Sequence, residues 1–186
     1  MYKGIAGSEG IGIGKVVIIE DHDITIETKH VPETDSEIAR LQEAIEKFVE
    51  ITNKMADKMD ETVGKKDADI LRGHIQMLQD PMIEEQISSL IIAEKITAEM
   101  AVDQVLEQTA EMFSQIPDEL LQQRATDFRD IKARMIKLLM GIEDVDISQV
   151  PAGTVLVAKD LTPSMTAGIK PENIEGILTE MGGKTS

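Results

Sequence analysis

Residues 34–59 read TDSEIARLQEAIEKFVEITNKMADKM, and the spacing of the apolar side chains in this stretch decides the fold. Apolar residues and one threonine recur every three or four positions, at Ile38, Leu41, Ile45, Phe48, Thr52, Met55 and Met59. This period matches one face of an α-helix, so it predicts a long helix packed along one seam. Thr34 and Glu37 have capping-box spacing, which predicts the helix start, and Gly64 predicts its end.

Four further helices are predicted between this helix and residue 141. Proline and glycine mark their limits at Pro81, Pro117 and Gly141, and Thr97 opens the fourth helix. Their apolar positions, again at helical spacing, are Ile70, Leu71, Ile75, Leu78, Ile87, Leu90, Ile91, Ala101, Val105, Met112, Ile116, Leu121, Ala125, Phe128, Ile131, Met135 and Leu138. We expect those of the fourth helix, including Met112, to face inward.

Short β-branched runs flank this helical region. Lys15–Ile19 follows a group of glycines, and two further apolar runs, at residues 154–158 and 174–178, come after Val145. The first run is too short to fold alone, so we expect it to pair with strands formed after Val145. The predicted fold is α+β or α/β, with a discontinuous α/β unit and an inserted all-α bundle.

Composition restricts the possible partners. The 186 residues carry a formal net charge of −16 at pH 7, with 2% aromatic residues and no cysteine. An acidic surface repels nucleic acid and anionic lipid, and it attracts partners with a basic face, although solubility alone also explains the charge. Neither a membrane-spanning run nor a secretory signal is recognised. We therefore expect a cytoplasmic protein that binds neither nucleic acid nor membrane.

Two glycine-rich stretches resemble nucleotide-binding patterns, and neither fits one. Gly10–Gly14 leads into a predicted strand, whereas a dinucleotide fingerprint leads into a helix, so we expect a tight turn. Residues 182–186, GGKTS, end like a P-loop, but Leu178 stands where that loop needs its first glycine. A flexible backbone that brings N–H groups close to another phosphate stays open for this second stretch.

The titratable residues give no catalytic constellation. His22 and His30 lack metal-site spacing, and His74 lies on a predicted helix, where we expect a half-buried surface histidine. The carboxylates are scattered over helix faces, and no pair stands out for general acid–base work.

Five motifs, in order and in register, resemble Enzyme I of the bacterial phosphoenolpyruvate-dependent sugar phosphotransferase system. Near the N-terminus these are Gly4, Ser8–Ile11 and Gly14-Lys15, followed by Gly73-His74-Ile75 with Leu78 and Asp80-Pro81. Arg124–Ile131, Asp160–Ala167 and Gly182–Ser186 complete the series. The resemblance covers essentially the whole chain, and its specificity lies in the combination.

The resemblance implies a domain layout. Residues 1–30 and 144–186 would form the two parts of a phosphohistidine α/β domain, the second part incomplete, and residues 31–143 a helical subdomain that binds the phosphocarrier protein HPr. In this family phosphate passes from phosphoenolpyruvate to a histidine and then to HPr, in the service of sugar uptake. A separate C-terminal barrel, absent from this chain, would bind phosphoenolpyruvate and Mg²⁺ and form the homodimer contact. No cofactor or metal is expected in the chain itself.

The resemblance also implies the position of the reaction centre. The family's histidine would follow Ser186 directly, so we expect the chain alone to be catalytically silent. Thr166 matches a threonine that orients the histidine ring, and Lys184, Thr185 and Ser186 would flank the ring. Because the sheet would be incomplete, we expect exposed apolar surface near residues 154–181.

For HPr docking, the family's positions correspond to Ile70, His74, Met77, Asp80 and Met82. Core packing is the alternative role of the two methionines. The preceding turn, Gly64–Asp67, contains Lys65 and Lys66 where a more acidic pair is expected.

Two other functions compete with this one. The phosphohistidine domain of a pyruvate phosphate dikinase or phosphoenolpyruvate synthase shares the Gly-Gly-x-Thr-Ser stretch, but it lacks the opening Ser-x-Gly-Ile motif tied to an inserted helical bundle. A non-enzymatic helical module would bind an HPr-like partner and transfer nothing.

Overall fold

The computed structural model describes residues 4–19, 25–27, 29–62, 64–142, 147, 150–161, 165 and 169–181. The helices in these ranges are α1 (Asp35–Thr62), α2 (Lys65–Leu78), α3 (Pro81–Glu94), α4 (Ala98–Ser114) and α5 (Glu119–Met140). The strands are β1 (Lys15–Ile19), β2 (Thr154–Ala158) and β3 (Ile174–Thr179), and a 3₁₀ turn at Pro171–Asn173 precedes β3.

The chain divides into two compact units, and one of them is discontinuous in sequence. Met1–Ile24 and Val145–Ser186 form the α/β unit, and Thr25–Asp144 form the helical unit. The predicted fold class, an α/β unit with an inserted all-α bundle, is therefore confirmed.

The α/β unit is built on a parallel three-stranded sheet in the order β1-β2-β3. Lys15 of β1 lies opposite Thr154 of β2, and Val155 of β2 lies opposite Gly176 of β3. The predicted pairing of the N-terminal run with strands after Val145 is confirmed, and it joins segments that are distant in sequence. One face of the sheet is buried around Ile19, Ile147, Val150, Leu156 and Ala158.

Large apolar side chains elsewhere on this unit are exposed. Val16 and Ile18, which alternate with the inward-facing residues of β1, are 60% and 63% exposed. Ile177, Leu178 and Met181 are exposed as well. The expectation of exposed apolar surface near residues 154–181 is confirmed.

The N-terminal glycines lead into β1, as expected, although residues 11–14 form no tight turn. Two of these glycines allow close backbone packing. A Cβ added to Gly12 would overlap the carbonyl oxygen of Glu175, in β3. A Cβ added to Gly14 would overlap the carbonyl oxygen of Gly153, just before β2. The glycines here serve the approach of one backbone to another.

The helical unit has a core shared by all five helices. α4 packs extensively against α5, and α1 packs against α2. The largest fully buried apolar side chains include Leu41, Phe48, Leu71, Leu78, Ile87, Ile91, Val102, Leu106, Ile131 and Met135. Gly141 ends α5 in the left-handed conformation, with φ of 66°, and its N–H donates to the carbonyl of Leu138. This is the predicted glycine C-cap.

Two details of the helical prediction are wrong. Met112 was expected to face inward, but its side chain is 57% exposed, because it lies in the wall of a groove between helices. The helix start predicted at Thr34 is confirmed, since α1 begins at Asp35, but Glu37 does not complete a capping box there. Its buried carboxylate instead accepts a hydrogen bond from the N–H of Ala98, at the start of α4, and one from Arg40. In the described part of the chain, no helix is long and apolar enough to cross a membrane.

Candidate functional site

A groove of about 1180 Å³ lies on the surface of the helical unit. α3, α4 and the N-terminal part of α5 line it, and the end of α2 contributes Met77. Its apolar lining includes Ile83, Leu90, Val105, Phe113, Leu121 and Phe128. A concave surface of this size with a mainly apolar lining is a typical binding site.

Three methionines lie in the groove lining. These are Met77 of α2, Met82 of α3 and Met112 of α4. Met82 and Met112 are 66% and 57% exposed, although both are large apolar residues. Their unbranched thioether side chains adapt to different partner shapes at low cost. The groove therefore has the properties of a protein-docking surface.

The aromatic residues of the groove form a rigid element among these flexible side chains. The rings of Phe113 and Phe128 stack with their centroids 5.5 Å apart and their planes at 21°. This pair joins α4 to α5 at the groove. Offset aromatic pairs add stability beyond the apolar area they bury.

The charged residues of the lining are mostly acidic. Asp80 and Glu85 supply carboxylates, and Arg124 is the only cation among the described lining residues. Asp80 also caps α3, since its Oδ1 accepts a hydrogen bond of 2.8 Å from the N–H of Met82. Capping fixes this carboxylate at the rim of the groove.

His74 is fully buried behind the groove, at 0% exposure, so the expectation of a half-buried surface histidine is wrong. Its Nε2 lies 3.4 Å from Oδ1 of Asp127, and its Nδ1 lies 3.4 Å from Oδ2 of Asp130. Both carboxylates belong to α5, so the ring ties α2 to α5. Burying a polar ring costs free energy unless it has such partners, and the two carboxylates offset this cost.

Arg124 continues this chain of contacts towards the surface. Its Nη1 lies 3.5 Å from Oδ2 of Asp127 and 3.6 Å from the sulfur of Met77. A Cβ added to Gly73 would lie 3.9 Å from the same nitrogen. The guanidinium therefore lies close to the backbone of α2 at Gly73, where there is no side chain.

A second ionic network braces α4 against α5 away from the groove. Lys132 bonds Glu107 at 2.8 Å and Asp103 at 3.0 Å, and Arg129 bonds Glu107 at 3.0 Å. Burial alone would raise the pKa of the Glu107 carboxyl. Hydrogen bonds from Lys132 and Arg129, with their positive charges, outweigh that effect and lower the pKa below its ordinary value.

The structure brings together three of the five predicted docking residues. Met77, Asp80 and Met82 all line the groove. Ile70 is 42% exposed on α2 but lies outside the lining, and His74 cannot touch a partner directly from its buried position. Their assignment to docking stays a prediction.

Sequence reasoning missed Met112, Phe113 and Arg124 as groove residues. Met112 and Phe113 are separated from the predicted docking helix by more than thirty residues, so only tertiary packing brings them into the same groove. Arg124 begins the motif Arg124–Ile131, which could have directed attention to it.

The predicted residues of the phosphohistidine site, Thr166, Lys184, Thr185 and Ser186, all lie outside the described residues. Among the residues that the structure does describe, no group of three or more His, Cys, Asp or Glu side chains is arranged to hold a metal ion.

Family models match both parts of this architecture. The model described as "PEP-utilising enzyme, N-terminal" matches residues 3–124, and "PEP-utilising enzyme, mobile domain" matches residues 150–186. The chain therefore belongs to the phosphoenolpyruvate-utilising enzymes and corresponds to their N-terminal module, a helical bundle inserted into a discontinuous α/β unit.

Relatives and solved structures narrow this class. A phosphoenolpyruvate-protein phosphotransferase of Haemophilus influenzae is 36% identical to this chain over 100% of this chain's length. The phosphoenolpyruvate-protein phosphotransferase of Bacillus subtilis is 33% identical over 99% of this chain's length. An NMR solution structure of Enzyme I superposes with a TM-score of 0.88 at 37% identity, covering 100% of this chain and 76% of that one. The chain belongs to the Enzyme I family, which confirms the resemblance.

A more distant structure shows the same fold. The N-terminal domain of a nitrogen-type Enzyme 1 superposes with a TM-score of 0.70 at 20% identity, covering 98% of this chain and 75% of that one. The chain spans about a third of the length of the curated relatives it matches, namely 33% and 32% of the two named above.

Proposed function

We propose that this chain is the N-terminal part of a phosphoenolpyruvate–protein phosphotransferase and that its helical unit docks the phosphocarrier protein HPr. The whole protein takes phosphate from phosphoenolpyruvate onto a histidine and passes it to HPr in sugar uptake. The observation that carries the proposal is the groove on the inserted bundle, with its apolar lining and its acidic residues Asp80 and Glu85.

The groove suits the expected chemistry of HPr, which offers a basic rim around an apolar patch. Met77, Met82 and Met112 would receive the apolar patch, and the carboxylates would face the basic rim. Long-range attraction between a chain of net charge −16 and a basic partner also raises the association rate.

The α/β unit is proposed to carry the phosphohistidine. In this proposal the histidine follows Ser186, Thr166 orients its ring, and Lys184, Thr185 and Ser186 flank it, so this chain alone transfers no phosphate. A neutral imidazole is a competent nucleophile near neutral pH. Phosphoryl transfer depends mainly on positioning and charge stabilisation, which glycines and small hydroxyl residues permit.

The remaining functions are assigned to the rest of the protein. We place phosphoenolpyruvate binding, the Mg²⁺ requirement and the homodimer contact in a C-terminal domain beyond this chain. The cytoplasm is the proposed location, and neither nucleic acid nor membrane is a proposed partner.

The proposal is tested by two experiments on binding and transfer. First, unlabelled HPr is titrated into the ¹⁵N-labelled chain, and we expect shifts concentrated on α2, α3 and α4 around the groove. Second, the chain is extended by a few codons beyond Ser186 and incubated with HPr that carries labelled phosphate. We expect reversible uptake of label by the extended chain and none by the original one.

Each competing function gives a different result in these experiments. A non-enzymatic docking module would bind HPr in the groove, but the extended chain would take up no label. A relative of the dikinases would show no HPr-dependent shifts at all. Either result would overturn the corresponding part of the proposal.

A further inference from the structure

Arg124 is a cation in a groove that is proposed to receive a basic partner. Asp80 and Glu85 suit such a partner, whereas a guanidinium would repel it unless it meets an acceptor oxygen. A charge of the wrong sign within a docking surface can provide specificity, because only a partner with the matching group is accepted. This makes the positioning of Arg124 important.

Contacts from behind the groove determine where the guanidinium points. Asp127 lies 3.5 Å from Arg124 Nη1 through one carboxylate oxygen, and 3.4 Å from His74 Nε2 through the other. The side chain of Asp127 is 16% exposed and that of Arg124 is 51% exposed. The three residues therefore form a chain of contacts from the core to the groove.

His74 is the fixed end of this chain. Its side chain is fully buried, and its second ring nitrogen lies 3.4 Å from Asp130, whose side chain is 3% exposed. A leucine would fill such a position at less cost in desolvation. A polar ring at this buried position therefore suits a role besides packing.

Gly73, next to His74, completes the arrangement. It has no side chain, and the nearest atom that a Cβ would meet is Nη1 of Arg124, at 3.9 Å. The guanidinium thus lies against open backbone on α2 and also contacts the sulfur of Met77 at 3.6 Å. A guanidinium has five N–H donors, so donors remain beyond those that face Asp127 and Met77.

We infer that His74 is a positioning residue: by holding Asp127 it fixes Arg124, which then donates hydrogen bonds to an acceptor oxygen on the docked phosphocarrier. This inference rests on the proposed function and adds a specificity determinant to it. A guanidinium whose orientation is fixed before binding loses little side-chain entropy when the partner arrives.

The test is a double-mutant cycle on HPr affinity, measured by titration calorimetry. His74→Leu keeps the position buried but removes both ring nitrogens, and we expect about a fivefold to tenfold loss of affinity. In an Arg124→Ala background, we expect His74→Leu to have almost no further effect. An equal loss in both backgrounds would show that His74 acts only through general stability, which would overturn the inference.

Two further variants separate positioning from structure. His74→Gln keeps an N–H donor within reach of Asp127, so we expect it to recover most of the lost affinity. Asp127→Asn keeps the side-chain volume, and we expect it to lower HPr affinity in the unmodified chain but hardly at all in the Arg124→Ala background. This second cycle tests the inference even if His74→Leu does not fold. Arg129→Ala, on the same helix but outside the groove, is the control background, and there His74→Leu should keep its full effect.

A spectroscopic readout tests the positioning without any partner. The Nε–Hε signal of Arg124 should move in His74→Leu and return towards its original place in His74→Gln, while the signal of Arg129 stays unchanged. If HPr does not bind the unmodified chain, the proposed function fails, yet this readout still decides whether His74 positions Arg124. An unchanged Arg124 signal in His74→Leu would overturn the inference.

Discussion

Met82 is a large apolar residue at the rim of the groove, and 66% of its surface is exposed. Such exposure adds little to the stability of the free chain, because the side chain stays in water in both the folded and the unfolded states. In a docked complex the thioether would be buried against the apolar patch of HPr. Its contribution should therefore appear in binding and not in folding.

We predict that Met82→Ala lowers HPr affinity about fivefold to tenfold, the effect of losing one well-buried apolar side chain at an interface. Ile92→Ala is the matched control, since Ile92 lies on the same helix, is 55% exposed and is outside the groove lining. Calorimetric titration measures both affinities, and thermal unfolding should change little in either variant. Equal affinity losses in the two variants would remove Met82 from the docking surface.

Glu107 gives a prediction about pH. The folded-state pKa of its carboxyl is lowered, with burial opposing the shift and Lys132 and Arg129 causing it. A carboxyl with a lowered pKa stabilises the fold at pH values above its unfolded pKa of about 4.3, and this stabilisation is lost as pH falls through the folded pKa. Glu107→Gln removes the effect.

We therefore expect the urea midpoint of Glu107→Gln to lie below that of the unmodified chain at about pH 7, and the difference between the two midpoints to shrink as pH falls below about 4.3. The difference at neutral pH should correspond to about 1 kcal/mol or less, because the ion pairs are partly exposed. A midpoint difference that stays constant from neutral to acid pH would contradict this assignment.

At the scale of the elements, all five helices and three strands assigned in the described ranges were predictable, because each has a local signal. These signals depend only on residues that are close in sequence. Examples are the apolar periodicity of residues 38–59 and the helix ends marked by Pro81, Pro117 and Gly141. Strand β1 was recognised from its β-branched run, and its pairing followed from its short length.

The missed contacts all depend on residues far apart in sequence. Glu37 lies at the start of α1, yet it caps α4 through the N–H of Ala98, 61 residues away. His74 meets Asp127, 53 residues away, and buried Arg134 lies 4.2 Å from the ring of Phe48. Sequence periodicity places a residue on a helix face, but only the packing of several helices decides which polar group it meets.

The strand packing of the α/β unit gives the next prediction. Gly12→Ala would force a Cβ into the carbonyl of Glu175 and displace the N-terminal segment from β3. We expect a destabilisation of about 2 kcal/mol, the usual cost of overpacking. Gly7→Ala is the matched control, because a Cβ there would meet nothing within 4 Å.

Hydrogen exchange of the sheet amides checks this prediction within the affected unit. In Gly12→Ala, the amides of β2 and β3 should exchange faster, while those of α4 and α5 keep their protection. In Gly7→Ala, both sets should keep theirs. Unchanged sheet protection in Gly12→Ala would mean that the N-terminal segment does not pack as described.

At the scale of the whole molecule, the sequence of the α/β unit is interrupted by a helical unit with its own core. The two units are compact by themselves, and the described residues that line the groove all belong to the helical unit. A unit that holds its own core and the groove should keep its fold, and the docking proposed for it, when separated. Docking and phosphate transfer would then be divided between the two units.

We predict that residues 25–144, expressed alone, form a helical protein that unfolds cooperatively and binds HPr within about threefold of the whole chain's affinity. The physical reason is that the core and the groove are both internal to this segment. Circular dichroism measures the folding, and titration calorimetry measures the binding. Met82→Ala in the isolated segment should weaken HPr binding by the same factor as in the whole chain. If the segment folds but no longer binds, the α/β unit must contribute directly to docking, and the groove alone would not account for recognition of the phosphocarrier.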